Sequence, residues 1–291
     1  MTNSLAAKSI LSSSQMRWAV GGWSFFIAEN LVLSENRQAI IQRLGDSNYH
    51  ALYGTISTAA MASVGYGYRY KVRAAPPFFP RISMPMRVAS FISYSLGLGL
   101  ASQTMPKFQI PVVHTDRSHY PGDDKLSSIY SERVEANDAL AHDESSKSSW
   151  KVRCPFDFTD KKMEQHKINN NDLIPCGVER ITRHPGLWSF GLVCLGAAMT
   201  TPSVPQAAWL SMPTLVALVG GAHTDSRYRR GLGGNLSPEE DLRSSNVPFA
   251  AMLSQEFCSG SFSALLDESK GLNFAAAVGA AAFMVVRKLP R

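Results

Sequence analysis

Cysteine is scarce in this chain of 291 residues, which holds only four, at positions 154, 176, 194 and 258. No two of them form a C-x-x-C pair, so the sequence lacks the spacing of a structural zinc site, an iron–sulfur site or a thioredoxin-like redox pair. Free thiols are the default interpretation. The alternative, for Cys154 and Cys176, is a bridge in an oxidising lumen.

No apolar run reaches the roughly 20 residues that a lone membrane-spanning helix needs. The apolar residues instead form six shorter blocks that also contain Ser, Thr and Gly, which helices in a membrane bundle can turn toward one another. The sequence therefore predicts an all-α fold, a polytopic transmembrane bundle of about six spans. The alternative is a soluble helical protein with buried core helices. The six blocks are residues 17–33, 51–67, 86–104, 186–201, 205–222 and 272–286.

Acidic residues are absent from the first 28 positions, and no nucleic-acid-binding motif occurs in the chain. Basic loops that flank membrane spans account for the net charge of +6, so the expected partner is the lipid bilayer and not nucleic acid. Residues 1–16 form a Ser-containing polar leader that is compatible with organelle targeting, with a plain disordered leader as the alternative. We predict an integral, multi-pass protein of a plastid or mitochondrial membrane.

Residues 107–178 have too few apolar side chains to bury a core, and they separate two membrane halves, 17–106 with three spans and 179–291. This composition predicts a polar, largely disordered insertion loop. Residues 127–142 could form one short amphipathic helix within it. The insertion contains four histidines without regular spacing, so solvated histidines are favoured over a metal cluster. They are His114, His119, His142 and His166.

Residues 179–198, ERITRHPGLWSFGLVCLGAA, end the polar insertion and open the fourth apolar block. Thr182 is predicted to cap the start of a helix and Pro185 to occupy its first turn. Arg183 and His184 would then lie at the membrane interface. They are either basic anchors or part of a binding site.

A second polar group, His223, Asp225 and Arg227, ends the fifth block. On a helix, His223 and Arg227 share one face, and Asp225 shares another with Arg229, which favours an i,i+4 ion pair. The alternative is a site for an anionic ligand. Since consecutive helices joined by a short turn run antiparallel, this group should meet Arg183 and His184 on one membrane face. These five residues are the candidate ligand-binding site.

Four segments together resemble the NnrU family of integral membrane proteins, whose eukaryotic relative is 15-cis-zeta-carotene isomerase. They are residues 43–57 (RLGDSNYHALYGTIS), 179–198 with its T-R-H-P motif, 220–233 (GGAHTDSRYRRGLG) and 244–253 (SSNVPFAAML). The resemblance implies a membrane protein of uncertain activity that binds a hydrophobic or haem-type ligand. A carotenoid cis–trans isomerase is the alternative that it implies. T-R-H-P also occurs in membrane S-adenosylmethionine-dependent methyltransferases, a more remote alternative.

The resemblance implies haem b held by two histidines, but this chain departs from that pattern. Glu29 and Asn30 stand where the first histidine is expected and Ala197 where the second is, and none of them supplies an imidazole. His184 and His223 are then the remaining candidates for iron. Glu29 lies close to the end of its block, which favours a carboxyl that reaches the membrane interface over a functional one.

A methyltransferase of this type would use a Glu-Glu pair after its last catalytic span, and Glu239 and Glu240 are adjacent in the sequence LSPEEDL. Because Ser237 and Pro238 precede them, the pair is typical of the acidic first turn of a capped helix. That interpretation is favoured over a catalytic one.

Overall fold

A computed structural model describes residues 13–78, 82–104, 175, 177–254 and 258–287, and the backbone of two strands in between. It divides into two compact units, one of residues 1–109 with 156–291 and one of residues 110–155. The second unit contains β1 (Val112–Thr115) and β2 (Ser149–Val152), which pair antiparallel with Val112 opposite Val152. These strands were not predicted within the insertion. The helix expected at 127–142 lies outside the described residues.

The first half of the larger unit is helical, as predicted. Helix α1 (Ser14–Glu35) is capped by Ser13, whose side chain accepts a hydrogen bond from the N–H of Met16. A short α2 (Arg37–Leu44) ends at Gly45, whose φ of 82° allows the turn into α3 (Asp46–Gly67). Helix α3 continues into a π-helical turn (Tyr68–Val72), and α4 (Met84–Thr104) follows.

The second half holds the remaining helices. A 3₁₀ turn (Gly177–Arg180) precedes α5 (Pro185–Met199), and a short turn leads to α6 (Val204–Arg229). Two small helices follow, α7 (Pro238–Arg243) and α8 (Ala250–Leu253). Helices α9 (Cys258–Glu268) and α10 (Gly271–Val286) end the described chain. Each of the six predicted blocks thus coincides with a helix.

The six longer helices pack mainly as a row, in the order α3, α1, α6, α5, α4 and α10. One core cluster joins α1, α3 and α6 through Trp23, Phe26, Val64 and Met212. A second cluster brings Leu100 of α4, Leu187 and Trp188 of α5 and Ala217 of α6 together with the 3₁₀ turn. These clusters fix α5 and α6 at the centre of the row, where the candidate site lies.

Glycines allow the close approach of α4, α5 and α6. A side chain at Gly97 would place its Cβ 2.8 Å from the backbone N of Val193 and 2.9 Å from the carbonyl O of Ser189. At Gly191 the Cβ would lie 3.1 Å from the Cα of Thr214 on α6. At this short distance a hydroxyl group on α4 reaches the backbone of α5: Ser90 donates to the carbonyl of Gly196 at 2.7 Å. Small residues therefore set the spacing of these helices.

Candidate functional site

The T-R-H-P segment is hydrogen-bonded to the loop that follows α7. The hydroxyl of the fully buried Thr182 donates to the carbonyl O of Asn246 at 2.6 Å and accepts from the N–H of His184 at 3.3 Å. Helix α5 begins at Pro185, with His184 at the N-cap position. The prediction for Pro185 is confirmed, but the prediction that Thr182 caps the helix is wrong, because its hydroxyl joins two loop segments instead.

Asp225, near the C-terminal end of α6, contacts Arg183 and His184 of the T-R-H-P segment. Its side chain is buried, with the whole residue 3% exposed. Its Oδ1 lies 2.8 Å from Nε2 of His184, which donates because an ionised carboxylate only accepts. Its Oδ2 lies 3.3 Å from Nη1 of Arg183. The antiparallel run of α5 and α6 therefore joins Arg183, His184 and Asp225 as the sequence predicted.

A second carboxylate, Asp241 on α7, extends the cluster. Nη2 of Arg183 lies 2.9 Å from Asp241, and Arg229 donates to Asp241 from Nε at 2.7 Å and Nη2 at 2.8 Å. Hydrogen bonds from Arg229, helped by the charge of Arg183, hold the pKa of Asp241 below its ordinary value. The expected i,i+4 ion pair between Asp225 and Arg229 is wrong, because Arg229 pairs with Asp241 and Asp225 pairs with Arg183 and His184. The order of the network is Asp225, Arg183, Asp241, Arg229.

Helix α7 owes its position to a capping box. The Ser237 side chain accepts from the N–H of Glu240, and the Glu240 carboxylate accepts from the N–H of Ser237. The sequence interpretation of Glu239 and Glu240 as the first turn of a capped helix is confirmed. Asp241 is thereby presented to the two guanidinium groups.

His223 and Arg227 turn toward other parts of the molecule. Nε2 of His223 shares a hydrogen bond of 2.6 Å with the hydroxyl of Ser34 on α1. Arg227 lies under the turn after α6, where a Cβ at Gly233 would be 3.3 Å from its Nη2. The Nε of Arg227 is buried without a hydrogen-bond partner. Thus three of the five predicted residues are in contact, His184 with Asp225 by a hydrogen bond and Arg183 with Asp225 by an ion pair, while the other two flank them.

An exposed ion pair ties the same end of α6 to α1. Arg230 donates to Glu35 from Nη1 at 2.6 Å and from Nη2 at 2.9 Å. These hydrogen bonds hold the pKa of Glu35 below its ordinary value. Together with the Ser34–His223 bond, the pair fixes the end of α1 against the end of α6.

Asn246 is a residue of the candidate site that the sequence analysis did not single out. Its Oδ1 accepts from the indole N–H of Trp188 at 3.1 Å, and its Nδ2 donates to the carbonyl O of Leu218 at 2.9 Å. A Cβ at Gly221 would collide with Asn246 and with the ring of His184. The one available signal was the position of Asn246 in SSNVPFAAML, a segment that carried the family resemblance.

An apolar cavity of about 310 Å³ lies beside the motif. The segments that contain Thr182 and Asn246 are paired by backbone bonds from Arg183 to Ser245 and from Phe249 to Ile181. Phe249, in the left-handed region with φ of 63°, lines the cavity with Ile181. Both segments therefore contribute to a wall of the cavity, and the first of them also carries Arg183 and His184 of the ionic cluster. Other walls come from α4, α5, α9 and α10, with Leu96, Leu100, Leu192, Phe262, Leu265 and Phe274.

Polar contacts hold α9 and α10 over this cavity. Arg180 donates to Glu268 from Nη2 at 2.7 Å and from Nε at 3.0 Å, and the N–H of Gly177 donates to the same carboxylate. The bonds from Arg180 hold the pKa of Glu268 below its ordinary value. At the bend between the two helices, Gln103 accepts from the N–H of Lys270 at 2.9 Å.

Glu29 and Asn30 lie between α1 and α3, and both are buried, with 6% and 2% exposure. The expectation that Glu29 reaches the interface is wrong, because its Oε1 accepts from Asn30 and from the hydroxyl of Ser57 on α3. The hydroxyl of Tyr53 donates to Oδ1 of Asn30 at 2.6 Å. A polar layer inside the helix pair holds the carboxyl away from solvent.

The described residues do not fit a haem held by two histidines. The cavity lining contains no histidine, cysteine, methionine or tyrosine to serve as an axial ligand. His184 and His223 bond through Nε2 to Asp225 and Ser34 respectively. Within the described ranges, no three His, Cys, Asp or Glu side chains are grouped so that they could hold a metal ion.

The geometry defines a class of protein: a helical molecule in which one loop segment, residues 181–184, belongs both to the wall of an apolar cavity and to an ionic cluster. The chain belongs to the NnrU protein family, whose model matches residues 19–286. The predicted family is confirmed over nearly the whole chain. Neither the curated proteins nor the solved structures give a match.

The described helices differ from typical membrane spans in length or in apolarity. Taken one at a time, none of the described helices combines enough length and apolarity for a crossing. The pair Phe262–Glu268 and Gly271–Val286, bent by 95°, meets the requirement when its two members are counted together.

Proposed function

We propose that this NnrU protein is a multi-pass membrane protein that holds an apolar ligand in the cavity beside the T-R-H-P segment. The observation that carries the proposal is the cavity of about 310 Å³ with its almost wholly apolar lining. Ligand pockets occupy roughly 300–1,000 Å³ and are lined mainly by hydrophobic and aromatic side chains. The volume suits one acyl chain or one end of an isoprenoid.

The burial pattern supports six spans, α1, α3, α4, α5, α6 and α10. Several of the polar side chains that lower the apolarity of these helices face other helices, with Ser90 0% and Asn30 2% exposed, whereas Ser24, Thr55 and Thr58 are exposed. Large apolar side chains lie on the outside of the same helices, and a surrounding lipid bilayer would stabilise this arrangement. They include Phe25, Val32, Met61, Ile92, Phe190, Leu215 and Phe283. Carbonate washing of membranes should leave the protein in the pellet, and its recovery in the supernatant would refute the spans.

Ligand binding is tested by extraction of the purified protein. Leu266 lines the cavity and is 66% exposed, so Leu266→Trp should fill the entrance without disturbing a buried contact. Leu253→Trp, at a position that is 76% exposed and does not line the cavity, is the matched control. Mass spectrometry should find an apolar compound with the wild type and the control, and at least tenfold less with Leu266→Trp. Equal amounts in all three would contradict the proposal.

A cis–trans isomerase for a polyene is the second candidate. The aromatic side chains of Phe249, Phe262 and Phe274 in the lining favour it, because flat rings pack well on a conjugated chain. An absorption spectrum of the purified protein separates the candidates: a structured polyene band would support it, and a featureless visible spectrum would leave a colourless lipid. A Soret band would overturn the conclusion on haem.

For the five predicted site residues we propose two roles. Arg183, His184 and Asp225 hold the loop segments that form the cavity wall. Arg227, which has no ion-pair partner among the described residues, and the neighbouring His223 would contact an anionic headgroup at the membrane surface. Arg227→Gln should weaken binding to vesicles with phosphatidylglycerol, while Arg43→Gln, at an exposed position on α2, should not. Equal binding by both variants would refute the role of Arg227, and competition by inorganic phosphate would indicate a free anion as the ligand.

The membrane that we propose is that of a plastid or mitochondrion, and the support is the acid-free, Ser-containing start of the chain. A fluorescent fusion to the C-terminus should then co-localise with an organelle marker. The same label at the plasma membrane would refute the proposal.

A further inference from the structure

The carboxyl of Glu29 has two unequal oxygens. Oε1 accepts from Nδ2 of Asn30 at 2.5 Å and from the hydroxyl of Ser57 at 3.0 Å. Oε2 is buried and has no hydrogen-bond partner. Asn30 cannot turn toward Oε2, because its Nδ2 also donates to the carbonyl of Phe26 and its Oδ1 accepts from Tyr53. The arrangement leaves one oxygen of a 6% exposed residue unsatisfied.

No cation among the described residues compensates a negative charge at Glu29. On α3 the titratable neighbours are Tyr49 and Tyr53, which donate their hydroxyl protons to other acceptors, and His50, which pairs with Asp46. No ion pair joins Glu29 to any of the remaining charged or titratable groups on the described elements packed against α1. These groups are His223, Asp225, Arg227, Tyr228 and Arg229 on α6 with Arg230 just after it, Tyr66 on α3, Tyr68, Arg69, Tyr70 and Lys71 in the π-helical turn, and Arg37 and Arg43 on α2.

A buried carboxylate without a paired cation costs several kcal/mol, and such a group becomes neutral instead. Oε1 already accepts two hydrogen bonds, so the proton belongs on Oε2. A protonated Oε2 is then a donor that faces the interior of the helix row. An unsatisfied buried polar group of this kind calls for a functional explanation.

We propose that Glu29 is a proton-binding site inside the helix row, a carboxylic acid that stays neutral at neutral pH. Asn30 and Ser57 orient it by bonding to its carbonyl oxygen, and Tyr53 holds Asn30 in place. The ligand of the site is the proton itself. This inference is independent of the apolar ligand and of the number of spans, since it depends on burial and hydrogen bonding alone.

Infrared spectroscopy of the full chain in an ester-free detergent tests the proposal. The wild type at neutral pH should show the C=O stretching band of a carboxylic acid, with a downshift in heavy water. Glu29→Gln should remove this band, and Glu35→Gln, on the same helix but exposed, should leave it. Absence of the band in the wild type, or its persistence in Glu29→Gln, would overturn the proposal.

A second variant covers the case in which Glu29→Gln fails to fold. Ser57→Ala keeps the carboxyl and removes one hydrogen bond to its C=O, so the band should move to higher frequency. Ser63→Ala is the matched control, because the Ser63 hydroxyl donates to the carbonyl of Ala60 in its own helix. A band that is unmoved by Ser57→Ala would assign the signal to another group and overturn the proposal.

Discussion

Two pairs of neighbouring helices, α1 with α3 and α4 with α5, are held together by different kinds of contact. In the first, large side chains reach across: Tyr53 donates to Asn30, and Tyr49 donates to the carbonyl of Leu33 at 3.3 Å. In the second, the backbones come close, and the hydroxyl of Ser93 donates to the carbonyl of Leu192 at 2.8 Å. Glycine contributes to both contacts, but the approach is closer in the second: an added Cβ would lie 3.2 Å from the Cα of Val64 at Gly22 on α1 and 2.8 Å from the backbone N of Val193 at Gly97 on α4.

This difference predicts that the two helix contacts lose stability in response to different kinds of substitution. The α4–α5 contact should respond to any added volume, because backbone atoms cannot move aside. The α1–α3 contact should respond to the loss of single polar atoms, because each loss leaves a partner buried and unsatisfied. The ionic cluster where α5 begins and α6 ends is a third kind of contact, in which one carboxylate serves two side chains.

Asp225→Asn should have the largest effect. The substitution keeps the shape of the side chain but removes the charge that pairs with Arg183 and His184 in a buried position. Breaking a buried pair from one side costs about 3 kcal/mol or more. The unfolding midpoint in detergent, followed by circular dichroism, should fall sharply. Glu35→Gln, in the exposed pair with Arg230, should change it far less; similar losses would mean that burial does not distinguish the two pairs.

Gly97→Ala should come next and test the close contact of α4 and α5. The new methyl group would meet the backbone of Val193 and Ser189, and overpacking of this kind costs about 1–3 kcal/mol. Gly65→Ala on α3 is the matched control, since nothing lies within 4 Å of its added Cβ. That variant should gain about 0.5–1 kcal/mol from helix propensity. If both variants were equally stable, the spacing of α4 and α5 would not depend on glycine.

The sequence predicted the helices and the pairing of α5 with α6 because both follow from local patterns. Apolar blocks mark the helices, and a short turn forces neighbours to run antiparallel, which placed Asp225 beside His184. The role of Asn246 could not be predicted, because its partners on α5 and α6 are distant in sequence. Likewise, nothing local shows that Glu29 faces Ser57 on α3. The cavity is formed by two loop segments and four helices, so only the assembled fold reveals it.

Tyr53→Phe tests the hydrogen-bonded contact of α1 and α3. Removal of the hydroxyl leaves Oδ1 of the buried Asn30 without that donor, which should cost about 1 kcal/mol. Tyr70→Phe is the control, at a residue that is 61% exposed, and it should be neutral. Thermal unfolding of both variants in the same detergent measures the difference. An unchanged midpoint for Tyr53→Phe would show that this contact is held by packing alone.

Acidification should produce the smallest effect, through the contact of Glu268 with Arg180 above the cavity. Folding lowers the pKa of Glu268 from its ordinary value of 4.5. The pair therefore contributes stability above about pH 4.5 and loses it as pH falls through the lower, folded-state pKa. Because the pair is partly exposed, its contribution should be about 1 kcal/mol or less.

Glu268→Gln should lower the unfolding midpoint at neutral pH and weaken its further fall in acid. Asp267→Asn, at the adjacent exposed position, should keep the wild-type profile. A wild-type acid profile in Glu268→Gln would mean that Arg180 does not hold α9 in place, and that the wall of the cavity depends on the apolar contacts of Leu265 and Phe274.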